Sequence, residues 1–234
     1  MKKYTDLFID FDDTLYDTHG NAILALAELY EQCHLDQFFE NVEDFTIPYW
    51  QANVELWDQY SKGEITRDYL IVERFRRPLS CGSMNPTKEY CLQISDIFLD
   101  LCACKPGVVE GAHEIMTYLK RKGYRLHMCS NGFHEVQYRK LRASKLIDFF
   151  DTVVLSEDAG ANKPSQVYFD YAFAQTKATP EKTLMIGDNY MTDILGAQNA
   201  GLKVMFFNRN PESFKTPGEV DYEIHRLNEI KDLL

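Results

Sequence analysis

Six short apolar runs punctuate the chain, at Leu7–Phe11, Arg125–Cys129, Thr152–Leu155, Leu184–Ile186, Val204–Phe207 and Tyr222–His225. They read as strands. Between the second and the fifth lie segments with helical periodicity, His134–Ser144, Gln166–Lys177 and Met191–Ala200. Gly123 and Gly201 stand where a left-handed residue would close a helix. Strand and helix in alternation predict a parallel sheet covered on both faces, a doubly wound α/β fold.

The alternation fails between Thr18 and Cys104. There the pattern is helical throughout, over Asn21–His34, Pro48–Ser61, Arg67–Arg77 and Thr87–Cys104, interrupted by the turn "SKGEIT" and the looser link "RPLSCGSMNPT". The expectation is a smaller helical domain, residues 18–104, inserted after the first strand of an α/β core made of residues 1–17 and 105–234. No internal repeat or low-complexity tract is visible.

Composition narrows the class. A chain of 234 residues with 45% hydrophobic side chains can bury a full core. The net charge is −11, and no run of Lys or Arg makes a basic stripe, which disfavours nucleic acid as a partner. No apolar run approaches the length of a membrane span, and the N-terminal "MKKYTDLFIDF" lacks the apolar stretch and cleavage site of a secretion signal. Six cysteines at irregular spacing, without a CxxC pair, read as reduced thiols rather than disulfides or a zinc site. A cytoplasmic monomer or homodimer is expected.

In open α/β sheets, ligands bind beyond the carboxyl ends of the strands, so the polar residues that follow each strand carry the chemistry. After the first run comes D-F-D-D-T, Asp10 to Thr14; after the second, Ser130-Asn131-Gly132; after the third, Lys163 within "SEDAGANKP"; after the fourth, "GDNYMTD", with Asp188 and Asp193. Each set meets a requirement of phosphoryl transfer. Carboxylates at Asp10 and Asp188 repel each other and a phosphate unless a hard cation lies between them, which points to Mg²⁺. A carboxylate can itself attack phosphorus and form an aspartyl-phosphate, dividing one difficult displacement into two easier ones. Strand alternation aims Asp10 and Asp12 the same way, so one can attack while the other acts as general acid, then as base on water. Lys163, the Ser130 hydroxyl and the backbone N–H groups of Asn131 and Gly132 are donors for the equatorial phosphate oxygens. Asp193 is expected to hold Lys163 or a metal-bound water.

These residues, in this order, resemble the haloacid dehalogenase superfamily of phosphotransferases, with DxDxT at Asp10–Thr14, Ser130 and Lys163 in the second and third motifs, and GDxxxxD ending at Asp193. The resemblance covers essentially the whole chain. It implies Asp10 as nucleophile, Asp12 as general acid/base, Ser130, Asn131, Lys163 and Thr14 on the phosphate, and Mg²⁺ held by Asp10, Asp188 and the backbone carbonyl of Asp12. It also implies that the helical insert is the family's C1 cap, which closes over the site. The thirty-odd residues from Ser130 to Lys163 leave no room for the larger cap of other members, which favours small substrates. An acid at Asp12 is absent from dehalogenase members, because a halide leaving group needs no proton; the resemblance therefore implies a phosphatase.

Several stretches also resemble the bacterial pyrimidine 5′-nucleotidases: "SNGFHEVQYRKLRASKLIDFFDTVVLSEDAGANKP", "GDNYMTDILGAQNAG" and, in the insert, "LWDQYSKGEIT" with Arg74–Phe75. A pyrimidine nucleoside monophosphate is the implied substrate. Phosphatases of N-acylneuraminate 9-phosphate and of sugar phosphates share much of this wording, and a phosphomutase or a silent phospho-ligand-binding regulator are further alternatives. Tyr49, Trp50, Trp57 and Tyr60 suit either stacking on a base or packing in a helix core. Asp13 and Asp17 read as part of the solvated turn.

Overall fold

The computed structural model describes residues 3–234. Six strands form one parallel sheet: β1 (Asp6–Ile9), β2 (Arg125–Ser130), β3 (Thr152–Leu155), β4 (Thr183–Gly187), β5 (Lys203–Phe207) and β6 (Tyr222–Ile224), in the order β3-β2-β1-β4-β5-β6. The chain winds outward from β1 to one edge, returns at β4, and winds to the other edge. The fold is the doubly wound α/β arrangement expected from the alternating pattern, and its switch point lies at β1.

Burial on both faces explains why the runs are continuously apolar. Along β1, Leu7 and Ile9 enter a cluster with Leu126, Met128, Leu184, Ile186, Met205 and Phe207, packed under α5 (Ala112–Arg121) through Ile115, Met116 and Leu119. Phe8 points the other way, joining Cys129, Val154, Met185, Val204 and Phe206 beneath Tyr168, Phe169 and Ala172 of α8 (Gln166–Thr176). Side chains thus alternate between two cores. The register pairs Ile9 with both Met128 and Ile186, so the ends of the three central strands lie level. Gly123 and Gly201 are left-handed, at φ 75° and 84°, as their positions predict.

By backbone contacts the chain divides into two compact units, residues 1–18 with 106–234, and residues 19–105. The second unit contains most of α1 (Thr18–Gln32) with α2 (Val42–Ser61), α3 (Arg67–Leu79) and α4 (Lys88–Ala103). Its core gathers Leu26, Leu29, Phe45, Tyr49, Phe75, Leu79, Ile94 and Phe98. Helix α2 begins six residues before Pro48, capped by Asn41, whose side chain accepts the Asp44 N–H at 3.0 Å. Pro48 therefore lies inside the helix rather than at its first position. Tyr49 is core, whereas Trp50 and Trp57 are half-buried, Trp50 beside His19 and Trp57 edge-on to Tyr60. Among the described residues no helix is long and apolar enough to cross a membrane.

Candidate active site

Three adjacent strands deliver their chain ends to one place. Asp10 directly follows β1 and donates its N–H to Ile186 O at 2.9 Å, extending the ladder by one residue. Ser130 ends β2, and Asp188 follows β4. The Thr14 hydroxyl lies between the two carboxylates, 3.0 Å from Asp10 Oδ2 and 3.2 Å from Asp188 Oδ1, and accepts the Asp188 N–H at 3.1 Å. Thr14 thus ties the β1 and β4 ends together. Asp13 adopts a left-handed conformation, φ 61°, in the turn between them.

Lys163 is 1% exposed, and its ammonium has three acceptors: Asp10 Oδ1 at 2.8 Å, Asp193 Oδ1 at 2.7 Å and Cys129 O at 2.7 Å. The chain reaches this point from β3 through a single helical turn, α7 (Ser156–Ala159), and the left-handed Gly160. Asn131 fixes the end of that path, since its Oδ1 accepts the Lys163 N–H at 2.8 Å and its Nδ2 donates to Lys163 O at 2.9 Å. That side chain holds Lys163 through both its oxygen and its nitrogen.

Asp193 sits in a wide turn, Tyr190–Leu195, in which the Ile194 N–H reaches back five residues to Asn189 O. The expected helix over Met191–Ala200 is therefore split into this turn and the short α9 (Gly196–Asn199). A Cβ on Gly187 would lie 2.3 Å from Asp193 Oδ2, so the glycine of the GDxxxxD motif makes room for that carboxylate. Burial, and then the charges of Asp193 and Asp12, push the Asp10 carboxyl up to about 7 despite the opposing Lys163 charge. Removal from water and the neighbouring carboxylates of Asp10 and Asp193 also hold Asp188 well above the usual carboxylate range. Burial disfavours the Lys163 ammonium, but Asp10 and Asp193 reverse that and keep it protonated.

Asp12 carries a different environment. Its Oδ1 accepts from Lys140 Nζ at 2.6 Å and Thr18 Oγ1 at 2.7 Å; its Oδ2 accepts from Gln137 Nε2 and, at 3.4 Å, from Ser130 Oγ. Burial raises its pKa, but the Lys140 charge and these hydrogen bonds outweigh burial and leave it below the usual range. Ser130 Oγ accepts from Gln137 Nε2 at 2.9 Å and from the Gly132 N–H at 3.0 Å. The Gly132 N–H, expected as a phosphate donor, is thus engaged by Ser130, whose own proton is directed at Asp12 Oδ2. Gln137 and Lys140 were not singled out in the sequence. Their one signal was spacing: three positions apart on α6 (His134–Ala143), they share a face.

Asp10, Asp188 and Asp193 each offer a carboxylate oxygen, and these atoms lie within 4.8 Å of one another. An all-oxygen set of crowded carboxylates fits a hard divalent cation such as Mg²⁺ better than copper or zinc. Asp193 is engaged at Oδ1 by Lys163 and at Oδ2 by the Asn189 N–H at 3.1 Å, whereas Asp10 Oδ2 and Asp188 Oδ1 face each other across the Thr14 hydroxyl, which favours Asp10 and Asp188 as the carboxylates to hold a metal.

The family model of the haloacid dehalogenase-like hydrolases matches residues 7–201. The chain belongs to that family. As a haloacid dehalogenase-like hydrolase it is 32% identical to the HAD-hydrolase YfnB of Bacillus subtilis, over 100% of this chain and 97% of that one. The crystal structure of YfnB bound to magnesium superposes with a TM-score of 0.89 at 30% identity, covering 100% and 99% of the two chains. Pyrimidine 5′-nucleotidase PynA of Streptococcus pneumoniae is 27% identical over 99% of this chain and 95% of its own. Glyceraldehyde 3-phosphate phosphatase of Methanothermobacter thermautotrophicus is 41% identical over 86% and 84%.

Proposed function

We propose that this hydrolase is a Mg²⁺-dependent phosphomonoesterase working through an Asp10 aspartyl-phosphate, with a pyrimidine nucleoside 5′-monophosphate as substrate. The observation that carries the chemistry is the buried Lys163 ammonium, 2.8 Å from Asp10 and 2.7 Å from Asp193. A cation fixed against the nucleophile neutralises charge where a phosphoryl group arrives, and it is in place before the reaction begins. Asp10 attacks phosphorus, Ser130 and the Asn131 backbone receive equatorial oxygens, and Lys163 balances the added charge. Asp12 exchanges a proton first with the leaving oxygen and then with water. When bound by Asp10, Asp188 and the backbone carbonyl of Asp12, Mg²⁺ supplies charge neutralisation for the phosphate.

The pyrimidine nucleotide is supported by the full-length likeness to PynA and by the nucleotidase-like wording of the insert, Leu56–Thr66. In this reading residues 19–105 are the family's cap, the part of the fold that carries specificity. A small sugar phosphate is the second reading, favoured by the 41% identity to glyceraldehyde 3-phosphate phosphatase. Six free cysteines suit the reducing cytoplasm.

The test is phosphate release, with Mg²⁺ and with EDTA, from UMP, dUMP, dTMP, CMP, AMP, GMP, N-acetylneuraminate 9-phosphate, glyceraldehyde 3-phosphate and hexose phosphates, ranked by kcat/KM. A tenfold preference for uracil and thymine nucleotides, about 1.4 kcal/mol of differential transition-state binding, supports the nucleotidase. A sugar-phosphate winner withdraws the nucleotide and leaves the phosphatase standing. Isomer interconversion without net phosphate release identifies a mutase, and no turnover at all leaves a phospho-ligand binder.

A further inference from the structure

Two buried side chains on α6 have no task in the chemistry just described. Gln137 is 1% exposed and Lys140 8% exposed, and both direct donors at the Asp12 carboxylate. Lys140 Nζ also lies 5.1 Å from the centre of the Tyr16 ring, a cation–π contact that helps hold the ammonium in place. The orientation of the Gln137 amide is fixed by its surroundings. Its Nε2 faces Asp12 Oδ2 and lies 2.9 Å from Ser130 Oγ, and reversing the amide would set its oxygen against a carboxylate. In this orientation Gln137 Oε1 is buried without a partner. A buried ion pair is poor evidence for stability, and an orphaned buried oxygen works against it. What the pair of residues secures is geometry.

We infer that Lys140 and Gln137 are positioning residues that fix the Asp12 carboxylate as acceptor for the water that hydrolyses the phosphoenzyme. The inference rests on the phosphatase reading above. With Thr18 and Ser130, four donors converge on the two Asp12 oxygens and fix the carboxylate in one orientation. In the step they serve, water oxygen bonds to phosphorus, the phosphorus–oxygen bond to Asp10 breaks, the electron pair returns to Asp10, and the water proton passes to Asp12. Gly132 belongs to the same device, because a Cβ there would lie 1.7 Å from Gln137 Nε2. The glycine after Ser130-Asn131 keeps open the space that Gln137 occupies.

The test is transient and steady-state hydrolysis of p-nitrophenyl phosphate with Mg²⁺ by the full chain and by Lys140→Met, Lys140→Arg and Gln137→Met, each checked by circular dichroism. For Lys140→Met we expect a stoichiometric burst of p-nitrophenol and kcat lowered at least tenfold. KM should fall in parallel, so that kcat/KM, which reports the first step, stays within threefold. Lys140→Arg should recover most of kcat, and Gln137→Met should show the same split to a smaller degree, which guards against a misfolded lysine variant. Loss of kcat and kcat/KM together without a burst, or no change in either, would overturn the inference while leaving the phosphatase intact. A wild type that releases no p-nitrophenol would instead overturn the phosphatase reading.

Discussion

Lys163 Nζ lies 2.8 Å from Asp10 Oδ1, and both side chains are buried. Lys163→Met would therefore leave Asp10 and Asp193 facing each other without a cation. Breaking one partner out of a buried ionic group costs about 3–5 kcal/mol. Chemical denaturation should show a loss of that size, together with loss of phosphate release. Asp10→Asn removes a crowded negative charge instead. Its stability should match or exceed that of the wild type, while multiple turnover falls by about four orders of magnitude or more. Retained multiple turnover in Asp10→Asn would remove Asp10 as nucleophile.

Gly187 is held to glycine by space rather than by backbone conformation. A methyl group at its Cβ, 2.3 Å from Asp193 Oδ2, must displace that carboxylate from Lys163. Gly187→Ala should destabilise the fold by about 1–3 kcal/mol, the usual cost of overpacking, and lower kcat more than KM. Thermal denaturation alongside steady-state kinetics checks both parts. A silent Gly187→Ala would mean that Asp193 is free to move, and that its bond to Lys163 is dispensable.

The fold was legible because its strands are buried on both faces and its helices are amphipathic, so each kind of element had its own pattern. The candidate site was legible at strand ends, where Asp10, Ser130 and Asp188 interrupt or terminate apolar runs. The partners of Asp12 were not. Gln137 and Lys140 lie in "EVQYRK", where polar residues also occupy the solvent face, and spacing alone cannot say which face meets a carboxylate more than a hundred residues away. Asn131 was read through its backbone, and nothing in the sequence showed its side chain pairing with the Lys163 backbone. The start of α2 was misplaced because Pro48 resembles a first-turn proline, while the actual cap, Asn41, sits within a polar loop.

Divalent cation binding should raise stability, since Asp10 and Asp188 repel each other in its absence. At a free Mg²⁺ concentration a hundredfold above Kd, linkage supplies about 2.7 kcal/mol. For a chain of this size that corresponds to a rise in Tm of roughly 5–10 °C. Differential scanning calorimetry in MgCl2 against EDTA measures it, and Asp188→Asn should reduce the shift to near zero. An undiminished shift in that variant would place the metal elsewhere.

Another buried acid, Asp6, lies at the opposite end of the sheet from the site and sets an acid limit on stability. Its Oδ1 is 2.9 Å from His127 Nε2, its Oδ2 is 2.7 Å from Arg125, and His127 Nδ1 is buried without a partner. Burial lowers the His127 pKa, with Arg125 adding to the effect, and the nearby charges of Asp6 and Asp151 do not restore it. The folded state therefore takes up a proton less readily than the unfolded chain. Its contribution is intact above the unfolded histidine value, near 6.5, and is lost as pH falls through the folded value. Asp6 is raised by burial but lowered on balance by Thr5, His127 and Arg125, so its own contribution is lost only at more acid pH. His127→Gln keeps a donor for Asp6 and cannot titrate. Urea midpoints should fall between pH 7 and pH 5 more steeply in the wild type than in His127→Gln, with phosphate release at pH 7.5 unchanged within twofold. Equal slopes would show that His127 does not govern this range.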